Sequence, residues 1–391
     1  MIELGMSDAA FRAGCLERAC LHRRAALQVA APSWPEVDAL LHAVQPQVPY
    51  VQLFHRARLL DPALYIEERV HLGLRQRRLD RGRLYGCLLG GASLVLNRVE
   101  DFLPLASCLC GDLAGRMQCP ASANAYLSLR EQGSTTFGTH WDTHDVFVVQ
   151  LLGRKRWRVY EPTLELPLPA QTSLRVGDRR PETPVLDCIL EPGDLLYVPR
   201  GWWHEVEAFG SASFHLSIGL YPPLLFDYLQ WVVSRCLHGS LPVRQRFAAG
   251  AGRETWRPVL DALANALADP AHRATFAQEM QGHLATPPAF DLALVSGDAR
   301  LHGNDVARLT APRLGSVAAG GADADARPRL EANEVAIVSA LAGAGPMTIG
   351  DLQRGLAAVA PQAVSDAVLG LLVRQVVAVD RREGAELPQG K

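Results

Sequence analysis

A histidine and an aspartate stand two residues apart in the segment FGTHWDTHD, residues 137–145. In an extended segment, residues i and i+2 point to the same face. His140 and Asp142 are therefore predicted to converge, with Trp141 facing away. An imidazole nitrogen and a carboxylate oxygen on one face are two of the three ligands of a 2-His-1-carboxylate site, which binds Fe(II) in many proteins. The spacing alone is a weak signal, because the chain contains 12 histidines.

The third ligand has to come from another strand, and the segment EPGDLLYVPRGWWH at 191–204 offers one. Its Pro-Gly-Asp and Pro-Arg-Gly triplets are turn signals, and the apolar run between them is typical of a buried strand. His204 follows the second turn. A residue delivered by a turn reaches the mouth of a barrel, so we prefer His204 to His215 as the third ligand. His215 is then expected to lie behind the ligands, and His144 to line the pocket.

A single internal lysine, Lys155, lies in the segment GRKRWRVY at 153–160. Period-2 alternation places it on the same face as Trp157 and Val159, while three arginines mark the other face as solvated. An unpaired ammonium group on an apolar face is costly, so Lys155 needs a carboxylate partner. A dicarboxylate cosubstrate meets that need as well as a salt bridge to a protein acid does, and the spacing does not choose between them.

Six short strand patterns, bounded by glycine and proline, follow one another between about residues 121 and 221 without a long helical pattern between them. They cover 124–129, 146–152, 155–160, 185–190, 194–198 and 213–220. Many short strands without intervening helices are typical of an antiparallel barrel or sandwich. All the candidate residues named above lie in this region.

Helical patterns flank the strand-rich region on both sides. They cover 1–31, Glu36–Val44 and Val99–Leu113 before it, with one or two strands over Leu84–Asn97, and Leu224–Cys236 and Trp256–Met280 after it. The segment 315–329 is rich in Gly, Ala and Asp and is typical of a linker.

The C-terminal segment 331–380 fits three short helices and a strand, the order of a small winged-helix module. Thr348 is placed to cap the second helix, with Asp351 three residues on. Five acids against two arginines give this segment a net charge of −3. A winged helix that binds DNA needs a basic face to neutralise phosphates, so we expect a packing or partner-binding role and no direct DNA binding.

Composition excludes several other classes of protein. The 391 residues carry a net charge of −2, which gives no global attraction to nucleic acid. No apolar stretch approaches the roughly 20 residues of a membrane span. The first residues lack the basic and apolar regions of a secretory signal, and eight cysteines are dispersed through the chain. We therefore expect a cytoplasmic protein with reduced thiols and no membrane partner.

Taken together, these residues resemble the JmjC-type cupin oxygenases, and in particular the ribosomal-oxygenase-like group. The matching segments are NAY at 124–126, the HxD block at 140–142, DVFVVQLLGRKRWRVY at 145–160 and GDLLYVPRGWWH at 193–204. The similarity is strong over about 85–221 and weaker in the helical regions. Trp202 and Trp203 are bulkier than is usual in the family and are expected to crowd the approach to His204.

The resemblance implies a mostly β core with α-helices: a double-stranded β-helix (jelly-roll or cupin) barrel flanked by helices, followed by a helical dimerisation region and a C-terminal winged helix. The implied boundaries are 1–221 for the oxygenase domain, with its barrel core at about 121–221, then 222–315 and 330–391. A homodimer is the expected oligomer, with its interface sought over 224–280.

The resemblance also implies a role for each site residue. His140, Asp142 and His204 are implied to hold Fe(II). Lys155 is implied to pair with the C5 carboxylate of 2-oxoglutarate, and Tyr126 to donate a hydrogen bond to the same group. Asn124 matches the motif as a further cofactor-binding position.

The function implied is that of an Fe(II)- and 2-oxoglutarate-dependent dioxygenase, which uses O2 to hydroxylate a side chain of a ribosomal protein or of a ribosomally made peptide. N-methyl-lysine demethylation is a less favoured alternative within the class. Two other classes stay open: a non-oxygenase metal-binding cupin, which needs the three ligands but not Lys155 or Tyr126, and a non-catalytic dimeric scaffold that presents the winged helix to a partner.

Overall fold

The computed structural model describes residues 2–130, 137–177, 179–247, 249–250, 252–284, 291–309, 330–374 and 376–381. The chain divides into two compact units, Met1–Pro222 and Pro223–Lys391. The segment 315–329, predicted to be a linker, lies outside the described residues.

The first unit contains thirteen strands within its described residues. They are β1 (Leu21–Arg23), β2 (Val51–His55), β3 (Arg58–Leu59), β4 (Ile66–His71), β5 (Leu74–Leu79), β6 (Ser93–Asn97), β7 (Ala121–Ser128), β8 (Asp145–Leu152), β9 (Lys155–Tyr160), β10 (Leu186–Leu190), β11 (Leu195–Val198), β12 (Trp203–Ala208) and β13 (Ser213–Leu220). All six strands predicted from the sequence are present, with ends shifted by at most three residues.

These strands form an eight-stranded sheet of order β1-β11-β8-β13-β7-β6-β2-β3, a three-stranded sheet of order β10-β9-β12 and a separate β4-β5 hairpin. The pairings are antiparallel, as in β13, which lies between β7 and β8. The large sheet includes four strands that precede residue 121. The fold is therefore a mixed β and α fold built on antiparallel sheets.

The strand β8 shows why the two sheets pack together. Its sequence DVFVVQLL is a nearly continuous apolar run, the pattern of a strand buried on both faces. Phe147 and Val149 pack into the main core of the unit. Val146 and Val148, on the opposite face, pack against Trp157 and other apolar residues of the small sheet. The space between the two sheets is thus a second, smaller apolar layer.

The helices of the first unit are α1 (Asp8–Gly14), α2 (Trp34–Ala43), α3 (Arg81–Leu89), α4 (Pro104–Met117) and the single turn α5 (Ser173–Val176). The predicted helices 36–44 and 99–113 are present as α2 and α4, the latter preceded by a short 3-10 turn at Val99–Asp101.

Two predictions on this flank are wrong in part. The helix predicted over 1–31 ends at Gly14, and Leu21–Arg23 instead pair with β11 as an edge strand. The strand predicted from Leu84 is helical as far as Leu89, because Asp80 caps α3 by accepting a hydrogen bond from the Arg83 amide, 3.0 Å away. In both places tertiary pairing or a cap overrides the local apolar pattern.

The second unit begins with α6 (Leu225–Arg235), α7 (Arg253–Ala268), α8 (Pro270–Leu284) and α9 (Leu292–Ser296). The helix predicted over 224–236 is present as α6. The pattern over 256–280 is two helices, not one, because Asp269 leaves the helical conformation before Pro270 begins α8.

The rest of the second unit contains β14 (Val306–Leu309), α10 (Ala332–Ala344), β15 (Met347–Thr348), α11 (Ile349–Gly355), α12 (Pro361–Val373) and β16 (Val377–Asp380). The three predicted helices and the last strand are present. Thr348 caps α11 as predicted, accepting from the Asp351 amide at 3.0 Å. The strand β14, which the sequence did not indicate, pairs antiparallel with both β15 and β16.

Among the described residues, no helix has the length and apolar character needed to cross a membrane.

Candidate metal and cosubstrate site

His140 and His204 lie opposite each other on two neighbouring segments of chain. They form an isolated antiparallel bridge in which the amide of each donates to the carbonyl of the other, at 3.1 and 2.8 Å. His204 is the second residue of β12 and follows the turn that Trp202 closes on Pro199. Because opposed residues of an antiparallel pair carry their side chains on the same face, the two imidazoles meet, with ring centroids 4.4 Å apart.

Asp142 completes a cluster with the two histidines. The ligand atoms of His140, Asp142 and His204 all lie within 4.8 Å of one another. The His204 Nε2 atom is 3.6 Å from Asp142 Oδ2. The Nδ1 atoms of both rings face a backbone carbonyl two residues earlier, that of Gly138 or of Trp202, at 3.1 Å in each case. A backbone acceptor fixes the tautomer with the proton on Nδ1, which leaves Nε2 of each ring free to bind a metal.

The electrostatics of the cluster suit metal binding. Burial, helped by the charge of His140, lowers the pKa of His204 to about 4, so its imidazole is neutral at neutral pH. Burial alone would raise the pKa of Asp142, but the charges of His144, His204 and His140 together hold it below its ordinary value. Metal ligands have to be deprotonated to bind, and both groups are in that state.

Lys155, the first residue of β9, is only 2% exposed. Burial lowers the pKa of its ammonium group to about 7. No carboxylate among the described residues lies within ion-pair distance of it. The salt bridge to a protein acid, one of the two partners predicted for Lys155, is therefore absent from the described residues, and a buried cation of this kind favours an anionic ligand.

Tyr126 and Asn124 lie on the same face of β7, two residues apart. Burial and the charge of Asp142 raise the pKa of the Tyr126 hydroxyl, with a hydrogen bond to Asn124 acting in the opposite direction. The phenol is therefore a stable hydrogen-bond donor. Its ring stacks on His215 of β13, with centroids 4.8 Å apart and planes 7° from parallel.

His215 is buried, and its Nδ1 atom has no hydrogen-bond partner among the described residues. Burial and the charge of Lys155 hold the pKa of His215 well below its ordinary value. The ring of Trp157 on β9 is close to both histidines, 5.9 Å from that of His204 and 5.8 Å from that of His215. The cluster of ligands and the buried lysine thus belong to one layer between the two sheets, and His215 lies outside the cluster.

His144, which was predicted to line the pocket, lies near Asp142. Its ring stacks on Tyr221 at 4.8 Å and its charge acts on Asp142. A Cβ atom added at Gly219 would lie 2.6 Å from the His144 ring and 2.8 Å from the Tyr221 hydroxyl. A side chain at position 219 would therefore displace the His144 ring or the Tyr221 hydroxyl.

The predicted crowding of His204 by Trp203 is wrong. Trp203 is 4% exposed and lies on the face of β12 opposite to His204. It packs edge-on against Trp141, at 4.5 Å, and donates from Nε1 to Thr163. Trp141, predicted to face away from the ligands, donates to the carbonyl of Gln171. Both tryptophans thus hold the segment between β9 and β10. Trp202, the other residue of that prediction, is partly buried against the apolar layer that contains Trp157.

Glu205, which follows His204 on β12, was not among the residues predicted from the sequence. Its side chain is buried and accepts hydrogen bonds from Thr139, Arg158 and Tyr160, each at 2.8 Å. Successive residues of a β-strand face opposite sides of the sheet. The position of this acid directly after a candidate ligand was therefore a sequence signal for a group behind the site.

Parts of this chain are similar to known proteins in sequence or in fold. Residues 109–228 match the family model of the JmjC domain. It is similar to the bifunctional lysine-specific demethylase and histidyl-hydroxylase NO66 of Drosophila persimilis, with 34% identity over 40% of this chain and 23% of that protein. It is also similar to human ribosomal oxygenase 1, with 37% identity over 34% of this chain and 21% of that protein. The matched segment thus spans less than a quarter of either relative.

The fold is shared over a greater length with a bacterial protein. The crystal structure of the Escherichia coli ribosomal oxygenase YcfD aligns with 97% of this chain and 99% of its own, with a TM-score of 0.54 and 17% identity. A second structure of YcfD, in complex with cobalt and 2-oxoglutarate, aligns with a TM-score of 0.53 and 16% identity over 97% of this chain and 100% of its own. At this identity the likeness shows the fold alone.

Proposed function

We propose that this protein is an Fe(II)- and 2-oxoglutarate-dependent dioxygenase that hydroxylates a side chain of a protein or peptide. The observation that carries the proposal is the convergence of His140, Asp142 and His204 within 4.8 Å, in the same layer as the buried Lys155, which has no carboxylate partner in the part of the chain that the structure describes. The first three supply a donor set that suits Fe(II). The fourth supplies the positive charge that a dicarboxylate cosubstrate needs.

The residues of this chain would bind and orient the two cofactors. His140, Asp142 and His204 would hold the metal through Nε2 and carboxylate oxygen atoms. Lys155 would pair with the C5 carboxylate of 2-oxoglutarate, and Tyr126, supported by Asn124, would donate a hydrogen bond to the same group. When bound, Fe(II) and 2-oxoglutarate supply the activation of O2 that places an oxygen atom in a C–H bond.

The burial of the site supports the same chemistry. His204 and Lys155 are 5% and 2% exposed, and the ring of Trp157, two residues after Lys155 on β9, lies 5.9 Å from that of His204. An enclosed site excludes bulk water from reactive intermediates and strengthens the contact between an ammonium group and a carboxylate. The site is most open at Asp142, whose side chain is 33% exposed, compared with 6% for that of His204. We propose that the substrate approaches from there, past His144 and Tyr221.

We propose a ribosomal protein as the substrate, with a ribosomally made peptide as the alternative. Support comes from the names of the relatives, which describe ribosomal oxygenases and a histidyl-hydroxylase. The name of the first relative also includes lysine demethylation, so both reactions belong in the substrate search. A ribosomal substrate agrees with the cytoplasmic location predicted above.

The test is reconstitution with Fe(II) under anaerobic conditions, followed by an assay for O2-dependent formation of succinate from 2-oxoglutarate. We expect uncoupled turnover in the wild-type protein and its loss in His140→Ala. Candidate ribosomal proteins and peptides would then be examined by mass spectrometry for a mass increase of one oxygen atom.

Two other outcomes would replace the proposal. Metal binding without 2-oxoglutarate binding would indicate a metal-binding cupin with a different activity. Binding of neither would indicate a scaffold, and loss of partner binding on deletion of 331–391 would support that role.

For assembly we propose a homodimer formed through the second unit. Leu225, Leu229 and Val233 lie at helical spacing on α6 and are 83%, 41% and 53% exposed. Trp256 and Leu260, one turn apart on α7, are 42% and 58% exposed. Apolar side chains exposed in a continuous row are typical of an interaction surface.

We further propose that the elements from β14 to β16 form a winged helix that does not bind DNA directly. Their order, with three helices and a three-stranded antiparallel sheet, supports the assignment. The net charge of −3 over 331–380 opposes binding to phosphates.

A further inference from the structure

The bridge between His140 and His204 has an outer face, turned away from the ligand cluster. In an antiparallel pair, the residues that flank an opposed pair also oppose each other, on the other face. Thr139 therefore lies opposite Glu205, and Trp141 lies opposite Trp203. The bridge is thus flanked on one side by the contact between Thr139 and Glu205 and on the other by the contact between Trp141 and Trp203.

The contact between Thr139 and Glu205 is polar and specific. The Thr139 hydroxyl donates to one carboxylate oxygen of Glu205 at 2.8 Å. The other oxygen accepts from Tyr160 Oη and Arg158 Nη1, both at 2.8 Å. Arg180 lies 3.9 Å from the same carboxylate and over the Tyr160 ring. With Glu205 only 8% exposed, this carboxylate joins three segments of chain in a fixed geometry.

The strand β9 gives this network a defined position. Arg158 lies opposite Glu205 in the β9-β12 register, and Val159 lies opposite His204. The carboxylate of Glu205 thus fixes β12 against β9 on one side and against the Thr139 segment on the other. The Thr139 segment follows 131–136, which lie outside the described residues. Within the described residues, His140 is held to β12 by its two backbone hydrogen bonds and by the flanking pairs.

We propose that Glu205 is a positioning residue for the metal: by accepting from Thr139 across the bridge, it holds His140 in the register that brings its Nε2 atom to the same metal as His204. Glu205 itself faces away from the cluster and does not bind the metal. This inference rests on the function proposed above, because it requires that the cluster bind a divalent ion.

A small displacement of a metal ligand is enough to weaken metal binding. Residues behind metal ligands set ligand orientation, and their loss weakens metal binding by about 10- to 100-fold. Thr139→Val removes the donor without changing the shape of the side chain. Glu205→Gln places an NH2 group where one carboxylate oxygen now accepts a hydrogen bond. Both variants keep His140, Asp142 and His204, but each weakens the contact between residues 139 and 205 beside the bridge.

The experiment uses the full-length protein with Co(II) as the probe. The affinity would be measured by competition with a chelator, the visible absorption of bound Co(II) would report its coordination, and thermal unfolding of the metal-free protein would report stability. The matched control is Glu207→Gln. Glu207 lies two residues further along the same strand and also pairs with Arg158, at 3.1 Å.

We expect Glu205→Gln and Thr139→Val to weaken Co(II) binding by about 10-fold and to change the visible spectrum. Thr139→Ser, which keeps the hydroxyl, should restore binding to within about twofold, and Glu207→Gln should leave it unchanged. Thr139→Val should weaken binding less in the Glu205→Gln background than in the wild-type protein, because the two residues share one contact and their effects are then not additive.

The proposal is overturned if Glu205→Gln lowers the unfolding temperature but keeps the wild-type affinity and spectrum, since Glu205 would then be purely structural. It is also overturned if Glu207→Gln weakens binding equally, since the effect would then belong to the charge around Arg158. A wild-type protein that binds no Co(II) would contradict the proposed function as well, whereas unchanged variants of a protein that binds it would contradict the positioning role alone.

Discussion

At the scale of single residues, the cosubstrate proposal depends most directly on Lys155. We expect Lys155→Ala to lower the affinity for 2-oxoglutarate by at least 100-fold, because the C5 carboxylate loses its contact with the buried ammonium group. The corresponding free energy is about 3 kcal/mol, as for a buried, charge-assisted contact. Co(II) affinity should not change, because Lys155 is not a candidate ligand. Calorimetric titration with 2-oxoglutarate measures the first quantity.

The control is a 2-oxo acid without the distal carboxylate, such as 2-oxobutyrate. Its weak binding should be the same in the wild-type protein and in Lys155→Ala. Unchanged binding of 2-oxoglutarate in the variant would contradict the assignment of Lys155 and would favour the non-oxygenase cupin.

Lys155 also predicts a dependence of cosubstrate binding on pH. Its pKa in the free protein is about 7, below the ordinary 10.5, because burial disfavours the charged form. A bound carboxylate favours the ammonium form and raises that pKa, so binding takes up a proton above pH 7. Affinity should therefore fall as pH rises above 7, by at most about tenfold per pH unit.

Proton uptake is measured by titration in buffers of different ionisation enthalpy at pH 8. Lys155→Arg serves as the control, because arginine stays protonated at this pH and should bind without taking up a proton at that position. Equal uptake by the two proteins would show that another group titrates.

At the scale of elements, the turn between β8 and β9 decides where Lys155 lies. Gly153 has a φ of +62°, and a Cβ atom there would lie 2.0 Å from the carbonyl oxygen of Ala212. Gly153→Ala must therefore push β13 away from this turn. We expect a loss of about 3 kcal/mol in the free energy of unfolding and weaker 2-oxoglutarate binding.

Gly177→Ala is a matched control for this variant. Gly177 has a φ of +74° but open space around its Cβ position, so the substitution costs only the backbone strain of about 1 kcal/mol. Urea unfolding of the two variants separates strain from steric conflict. Equal losses in the free energy of unfolding would show that the structure relieves the steric conflict with Ala212 at no cost.

At the scale of the whole molecule, the exposed apolar row on α6 predicts the oligomeric state. We expect the wild-type protein to have twice the mass of one chain by light scattering, and Val233→Glu to have the mass of one chain. A carboxylate buried without a partner at an interface costs several kcal/mol, which is enough to dissociate a dimer of moderate affinity.

Leu174→Glu provides the comparison, since Leu174 is 94% exposed on α5 in the first unit. It should leave the mass at that of the dimer. A wild-type protein with the mass of one chain would contradict the proposed assembly.

The sequence by itself determined the local features of this protein. Alternation of apolar residues predicted all six strands between 121 and 221, and it placed Lys155 on the buried face of its strand. Both follow from local sequence because every second side chain of such a strand points to the same face. The cap at Thr348 was also predicted correctly, because capping depends only on residues within one turn. The roles given to His140, Asp142 and His204 as ligands stay predictions until a metal is measured.

Only the tertiary structure decided which distant residues meet. No local pattern indicates that Leu21–Arg23 pair with β11, that β14 pairs with β16, or that Trp141 packs on Trp203. The same is true of Glu205, whose carboxylate joins Thr139, Arg158 and Tyr160. These contacts depend on the register between segments far apart in the chain. That register is fixed by the packing of whole sheets, which lies beyond any short window of sequence.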